Sequence, residues 1–384
     1  MYLFGEDELK AIRKVVDSKK LFRYQGPGVE TESSIFEKEF ASYHGANHAL
    51  VLSSGTNALV LALSSLGVGP GDHVLVPAYT FFATIAAVVQ VGATPIVVNI
   101  DQHLSIDPRE ITKKLTPQTK AIIAVHMDGL NCDLASLTKI CEDKKIHLIE
   151  DVAQAVGGKY KNRSLGTFGK FGCFSFNQDK IITSGEGGAI VTNDKVLFQK
   201  SLCAHDTCNQ FGLTLKNTYE IETFIGYSMR VSEITGAILR EQLKKLDKIV
   251  ERLRSNKEEI LSRFDDSKNI IFAHDSGGDC GTSLHLICQD PLETVSKSKA
   301  ILNLGLRAGP LSVRPAHCVW QWIHLLKNEK YIHPQLNPQN FLDEKVKYDQ
   351  SEFASSIDLL SRIIRVEIPY ELDLHQVANL NKII

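Results

Sequence analysis

The chain has 384 residues, of which 43% are hydrophobic and 23% charged, and its formal net charge is −2 with both signs interspersed. That balance excludes the strongly basic surface of a nucleic-acid binder and gives no case for an anionic membrane surface. No apolar run approaches the ~18 residues of a bilayer-spanning helix, and length suggests one larger and one smaller domain.

The start, Met1-Tyr2-Leu3-Phe4-Gly5-Glu6-Asp7-Glu8, is acidic and lacks the basic residues and apolar stretch of a signal peptide, so the cytoplasm is the expected location. Eight cysteines, at 132, 141, 173, 203, 208, 280, 288 and 318, form no CxxC pair, which points to reduced thiols and away from zinc. Leu9, Ile12, Val15 and Val16 recur at spacings of three and four and predict a helix over 6–18. Gln25-Gly26-Pro27-Gly28 reads as a loop. Ile35, Phe36, Phe40 and Tyr43 form a second helical face that stops at Gly45, and 48–52 is a short apolar strand. Ser53-Ser54-Gly55-Thr56-Asn57 follows, and then a helix over 58–66. Such a junction is either a plain helix cap or a phosphate site, since a helix start offers unpaired N–H groups and glycine admits close approach. It is no Walker loop, because no Gly-Lys-Ser/Thr follows.

Strands are expected at 73–76, 94–99, 121–126 and 146–149, with helices at 80–91, 108–115 and 133–141 between them. Unbroken β-branched strands alternating with helices indicate a parallel sheet covered on both faces. Ligands in such sheets sit at the carboxyl ends of the strands. Four features gather there: Ser54-Gly55-Thr56, Tyr79-Thr80-Phe81-Phe82, His126, and Asp151-Val152-Ala153-Gln154. Singly, Phe81 and Phe82 read equally as core, His126 as a satisfied buried histidine and Asp151 as a turn cap; their shared edge is what unites them.

A strand over 171–176 contains Ser175, and a loop carrying Lys180 leads through Thr183-Ser184-Gly185-Glu186-Gly187-Gly188 to a strand over 189–192. A lysine between two buried strands is not an ordinary solvated charge. A buried amine, a ring of hydroxyls and glycines sized for a phosphate, and a carboxylate to face a ring nitrogen are the needs of pyridoxal 5'-phosphate (PLP).

These motifs resemble the DegT or StrS type of sugar aminotransferase, among the fold-type-I PLP enzymes. The likeness runs through Phe36-Glu37, Ser53-Ser54-Gly55-Thr56, Pro77-Ala78-Tyr79-Thr80-Phe81, Gly92-Ala93-Thr94-Pro95, Glu150-Asp151-Val152-Ala153-Gln154-Ala155, Ser175-Phe176, Lys180, Gly185-Glu186-Gly187-Gly188 and Gly226-Tyr227-Ser228-Met229-Arg230. The resemblance implies an α/β fold: a large domain with a mostly parallel seven-stranded sheet between helices (1–250) and a small C-terminal α+β domain (251–384). It matches Lys180 to the family's covalent anchor of the cofactor and Asp151 to the partner of the pyridine nitrogen. Gln154 matches the side chain beside the phenolic oxygen, Phe81 the aromatic stacked on the ring, and Gly55, Thr56 and Ser175 the phosphate ligands. Ser228 stands where the family often has an Asn that reaches the partner subunit's phosphate, a departure that puts that contact in doubt.

A long helix is expected over 231–264. Beyond it, strands at 270–274, 283–288 and 364–368 and helices at 293–304 and 351–360 make the small domain. Pro315-Ala316-His317-Cys318-Val319-Trp320 and His333-Pro334-Gln335-Leu336-Asn337-Pro338 read as a packed loop or as a lid over substrate. The resemblance implies amino transfer from glutamate to a keto-sugar acceptor in surface-polysaccharide or lipopolysaccharide biosynthesis, by a homodimer with shared active sites. The acceptor is a nucleotide-linked keto-sugar or an 8-keto-3-deoxy-octulosonate; a cyclitol, or a non-catalytic regulatory role, are the alternatives. A PLP-dependent dehydratase of the same fold would replace Lys180 by histidine. Arg307 and Arg314 offer guanidinium forks for a carboxylate or a phosphate.

Overall fold

The computed structural model describes residues 3–26, 29–208, 220–263, 269–380 and 383. Pro27 and Gly28 of the expected loop, and Phe264 at the expected end of the long helix, lie outside the described residues.

Alternating burial decides the architecture. In β1 (His48–Leu52), Ala49 and Val51 pack to one side, Leu50 and Leu52 to the other, and all four are buried. In β2 (His73–Pro77), Leu75 joins the first side and Val74 and Val76 the second. A sheet buried on both faces needs helices on both faces. β3 (Thr94–Val98), β4 (Thr119–Val125) and β5 (His147–Asp151) continue it, a hairpin β6 (Lys159–Tyr160) and β7 (Arg163–Ser164) interrupts, and β8 (Phe171–Ser175) and β9 (Gly188–Thr192) complete it. The order is β1-β9-β8-β5-β4-β2-β3, seven strands, all parallel except β9, which runs against both neighbours.

The helices are α1 (Glu6–Ser18), α2 (Glu32–His44), α3 (Gly55–Ser65), α4 (Ala83–Gln90), α5 (Pro108–Lys114), α6 (Leu134–Lys144) and α7 (Lys195–His205); α7 is an element the sequence reading lacks. Local chemistry sets their ends. Thr31 caps α2 by accepting from the Ser34 N–H, and Gly45 closes it at φ 67°, a left-handed position where glycine pays no steric penalty. On α1, Val15 is buried while Leu9 and Val16 stay half exposed. The helix expected over 80–91 begins only at Ala83. Thr80 N–H instead donates to the His317 carbonyl (3.0 Å), and Tyr79 pairs with Cys318, so a distant segment holds Tyr79 and Thr80 out of the helix.

The long helix Glu233–Leu261 is shorter at both ends than expected from the sequence and runs unbroken through position 250. Its Leu239, Leu243, Leu246, Ile249, Val250 and Leu253 belong to the same apolar cluster as Leu284, Leu286, Ile364 and Val366, so one core joins the large sheet to the small. The small sheet is antiparallel, in the order β10 (Ile270–Ile271), β11 (Ser283–Ile287), β13 (Ile363–Glu367), β12 (Ala308–Pro310). The strand expected over 270–274 shrinks to two residues, because His274 and Asp275 turn their polar atoms to Asp101 and Asn131. β12 has no apolar run to announce it. No helix among the described residues is long and apolar enough to cross a membrane.

Candidate active site

The register brings the carboxyl ends of β1, β4, β5 and β8, and the start of β9, to one edge. Leu52 pairs with Gly188, Ser175 with Gly188, Asp151 with Cys173, and Val125 with Asp151. A cavity of about 940 Å³ opens there. Its lining includes Gly55, Thr56, Phe81, Asp151, Gln154, Ser175 and Lys180, all the site residues read from the sequence.

Ser54 caps α3, its hydroxyl accepting from the Asn57 N–H (3.1 Å). This leaves the first amides of an eleven-residue helix at the cavity wall, where backbone donors and the helix dipole favour an anion. The cradle has no room for side chains: a Cβ on Gly55 would lie 2.7 Å from the Ser175 Cβ, and one on Gly188 2.3 Å from the Ser54 carbonyl oxygen.

Lys180 lies in the loop between β8 and β9. Phe176 N–H donates to the Gly187 carbonyl (2.8 Å) and Ser184 N–H to the Phe176 carbonyl (3.0 Å), closing the loop at its base. Phe176 packs edge-on against Phe36 and Phe40, and Ile181 and Ile182 are buried. Among the described residues no hydrogen bond engages the Lys180 amine. Burial lowers its pKa; the Arg314 charge adds to this and the Asp151 charge opposes it. A lysine so placed is a readier nucleophile and base than an exposed one.

Asp151 is 6% exposed. Thr84 Oγ1 donates to its Oδ2 (3.0 Å) and Ala153 N–H to its Oδ1 (3.1 Å). Burial drives its pKa up, and these bonds and the Lys180 charge offset only part of that. A buried carboxylate whose hydrogen-bond partners are all neutral lacks a cation. A protonated ring nitrogen supplies one, and with the anion cradle and the lysine the residues present fit PLP.

His126 is not in the lining. It is fully buried, its Nε2 lies 3.3 Å from Glu150 Oε2 and its Nδ1 accepts from the Cys132 N–H (3.2 Å), which makes it a satisfied core histidine. Glu150 in turn accepts from the amides of Gly166, Phe168 and Gly169 and holds the glycine-rich turn beneath the site. Phe82 also turns away, packing against Trp322. Of the two insertion segments, 315–320 contributes His317, whose ring lies 5.3 Å from that of Phe81. The 333–338 segment is absent from the lining. Burial foremost, with the Arg314 charge, holds His317 neutral with a pKa of about 4.

Arg307 and Arg314 both line the cavity. Arg230 does not: it pairs with Asp206 and lies 5.4 Å from the Phe22 ring. Ser228 is likewise outside the lining, within 3.3 Å of Arg230 Nη2. Arg23 is buried against Glu37 (3.0 Å), which also accepts from the Val51 N–H, so the Phe36-Glu37 motif ties the N-terminal segment to β1.

The sequence reading missed Asp128, Arg365 and Thr84. Asp128 lies just past β4, in the left-handed region at φ 55°, and its side chain is 1% exposed. Arg314 Nη1 donates to both its oxygens (2.8 and 2.9 Å), Arg365 Nε to Oδ1 (2.9 Å) and the Tyr79 hydroxyl to Oδ2 (2.8 Å). His285 Nε2 is 3.3 Å from Oδ2, and the Asp128 N–H donates to Gln154 Oε1 (2.9 Å). Burial pushes this carboxyl upward, but the Arg314 and Arg365 charges outweigh it and hold the pKa well below the usual range. The Asp128-Gly129 pair at a strand's carboxyl end was a readable turn signal. Arg365 was signalled by a charge inside the apolar run Ile363-Ile364-Arg365-Val366.

Residues 3–304 match the model of the DegT/DnrJ/EryC1/StrS aminotransferase family. The spore coat polysaccharide biosynthesis protein SpsC of Bacillus subtilis (strain 168) is 30% identical over 379 residues, 95% of this chain and 90% of that protein. GDP-perosamine synthase of Escherichia coli O157:H7 is 40% identical over 220 residues, 57% of this chain and 59% of that enzyme, so this match spans less than two thirds of its length. Among solved structures, 3-amino-5-hydroxybenzoic acid synthase superposes with a TM-score of 0.81 at 25% identity, covering 99% of this chain and 96% of that one. The chain belongs to the DegT/DnrJ/EryC1/StrS aminotransferase family and is a PLP-dependent aminotransferase of fold type I.

Proposed function

We propose that the protein moves an amino group from L-glutamate to the ketone of a sugar, in the assembly of a surface polysaccharide or lipopolysaccharide. The acceptor is a nucleotide-linked keto-sugar or an 8-keto-3-deoxy-octulosonate. The observation that carries the reading is one cavity holding a partly buried lysine, a buried carboxylate without a cationic hydrogen-bond partner, and the start of a helix at Gly55 and Thr56 beside Ser175. The names of the relatives, a spore coat polysaccharide protein and a perosamine synthase, support a sugar acceptor.

When bound, PLP supplies an electron-accepting ring that makes the proton on the amine-bearing carbon removable. The residues take the following roles in the proposal. Lys180 would anchor the cofactor, and its Nζ, once free, would serve as the base that takes and returns that proton. Asp151 keeps the ring nitrogen protonated, and Thr84 fixes the carboxylate plane through Oδ2. Gly55, Thr56 and Ser175 would hold the phosphate, Phe81 would cover the ring, and Gln154, braced by the Asp128 N–H, would stand beside the phenolic oxygen. The chain works as a homodimer with shared sites; Phe224, Ile225 and Tyr227, which flank Ser228 and Arg230, are exposed and apolar enough to be covered by a second copy. We place it in the cytoplasm, where its eight unpaired thiols would persist.

The test is to purify the protein with PLP and offer glutamate with a nucleotide-linked keto-sugar, a keto-octulosonate or a keto-cyclitol. The expected result is a visible absorbance band that glutamate bleaches and one of the two sugars restores. No band, or no turnover with any ketone, would overturn the reading; turnover of the cyclitol alone would move the acceptor class.

A further inference from the structure

The small sheet sends three arginines to the cavity wall, and only part of their charge is answered. Arg307 pairs with Glu367 (2.7 Å), Arg365 lies 3.7 Å from the same carboxylate, and Arg314 and Arg365 share Asp128. Within this cluster three guanidiniums face two carboxylates, which leaves the cluster one positive charge, while the wider lining also holds Lys180, Asp151, Asp179, Glu186 and Glu371. Arg314 spends Nη1 on Asp128 and Tyr79, and Arg365 spends Nε on Asp128. Among the described residues no hydrogen bond takes Arg314 Nε or Nη2, or Arg365 Nη1 or Nη2. Both side chains are 23% exposed, and both residues line the cavity.

The anchor beneath them is built for position. Asp128 holds a left-handed backbone that non-glycine residues adopt at a cost. Its carbonyl accepts from Thr282 Oγ1 (2.5 Å) and Ser283 Oγ (3.0 Å), and its side chain from Tyr79 and both arginines. Each guanidinium is thereby fixed with donors not spent in hydrogen bonds, Arg365 Nη1 lying only within 3.7 Å of Glu367, an arrangement suited to capture of an oxyanion.

We propose that Arg314 and Arg365, clamped on Asp128, form a subsite for a single carboxylate of the substrate. One surplus charge suits a monoanion. A diphosphate suits the wall less, since Asp179, Glu186 and Glu371 also line the cavity and would repel a second charge. The carboxylate belongs to the amino donor or to an acid-sugar acceptor. This inference rests on the aminotransferase reading for its chemistry, and its test is arranged so that the two fail separately.

The test is calorimetric titration of the PLP-loaded dimer, and of the protein as purified, with glutarate as a donor-like acid and glucuronate as an acid sugar. Methyl glucuronate serves as the neutral control. In Arg365→Gln the dissociation constant of one of the two acids is expected to rise about 10- to 100-fold, the loss of a charge-assisted hydrogen bond, with the absorbance band unchanged. Weakened glutarate assigns the carboxylate to the donor; weakened glucuronate, with methyl glucuronate indifferent, assigns it to the acceptor. Arg314→Lys keeps the charge on Asp128 and loses the fork, so it should weaken the same acid while the unfolding temperature holds. If both variants bind both acids within about twofold of the parent, the subsite is wrong. Absence of the absorbance band would instead sink the aminotransferase reading, while the titration of the protein as purified still judges the subsite.

Discussion

Asp151 and Asp128 are buried carboxylates lining one cavity, and their surroundings push them in opposite directions. Asp151, at the end of β5, has one hydroxyl and one amide as hydrogen-bond partners, and burial raises its pKa. Asp128, just past β4, has two guanidiniums, and its pKa falls well below the usual range. A carboxylate served by neutral donors alone is held in readiness for a charge brought from outside the chain. One saturated by arginines is satisfied internally and fixes what surrounds it. The large sheet thus supplies the unsatisfied groups of the site and also Asp128, which ties Arg314 and the small sheet's Arg365 into one wall.

The largest effect should come from Lys180→Ala, which removes the one amine among the unsatisfied groups. The absorbance band is expected to vanish and turnover to fall about 10⁴-fold, the upper end for one proton-transferring group. A Lys180→Ala enzyme that kept its band would break the comparison at its strongest point. The next largest sharpens it with a pair. Asp151→Asn should cut kcat about 10³-fold yet stabilise the cofactor-free protein by about 1 kcal/mol, since it relieves a buried charge. Asp128→Asn should destabilise by about 3 kcal/mol, because it strands two arginines. Denaturant unfolding of both measures the contrast, and equal signs would refute it.

The same contrast has a pH signature. The depressed Asp128 pKa contributes stability that is present above the ordinary carboxylate range and is lost as pH falls through the lowered value. Asp151, raised, contributes the opposite slope: protonation on acidification relieves it. In Asp128→Asn the loss of stability as pH falls below the ordinary carboxylate range should therefore be shallower than in the parent, and in Asp151→Asn the loss as pH falls toward that range should be steeper. Thermal melts across that range, at about one pH unit per step, read both slopes.

The large-sheet half was legible in the sequence because each of its groups sits in a local signature. Gly55 and Thr56 follow a strand and open a helix; Asp151 ends an apolar run; Lys180 lies between two buried strands. Strand alternation and helix spacing gave the element order, with errors where distant segments intervene, as at Tyr79 and Thr80, which pair with His317 and Cys318. The small-sheet half was opaque for the same reason. Asp128, Tyr79, His285, Arg314 and Arg365 come from five separate stretches and meet only through tertiary packing. Arg314 was singled out as a charge, but its anchor was not. His126 shows the reverse error: it occupies the right strand end, and its side chain is spent on Glu150 and Cys132.

Gly55→Ala probes the cradle with a smaller effect. Its Cβ would meet Ser175 at 2.7 Å, and Ser175 sits on a central strand with little freedom to retreat. Overpacking of this kind costs about 1–3 kcal/mol, so PLP affinity should drop about tenfold or more by fluorescence titration. Glutarate binding to the small-sheet wall should be untouched. A parallel loss of both would show that the two halves do not act independently.

Phe81→Leu tests that independence most finely, because Phe81 is where the halves meet. Its ring is 48% exposed in the cavity and lies 5.3 Å from His317, which precedes the Cys318 that pairs with Tyr79. Tyr79 in turn donates to Asp128. Losing an aromatic face costs about 0.5–1.5 kcal/mol, so PLP affinity should fall about 2- to 10-fold. If the two carboxylates are separately supported, the glutarate dissociation constant stays where it was. If it shifts in step, displacement has passed from Phe81 through His317 and Tyr79 to the arginine anchor. The wall would then respond to what occupies the cofactor site, and the contrast between the halves would describe only their resting state.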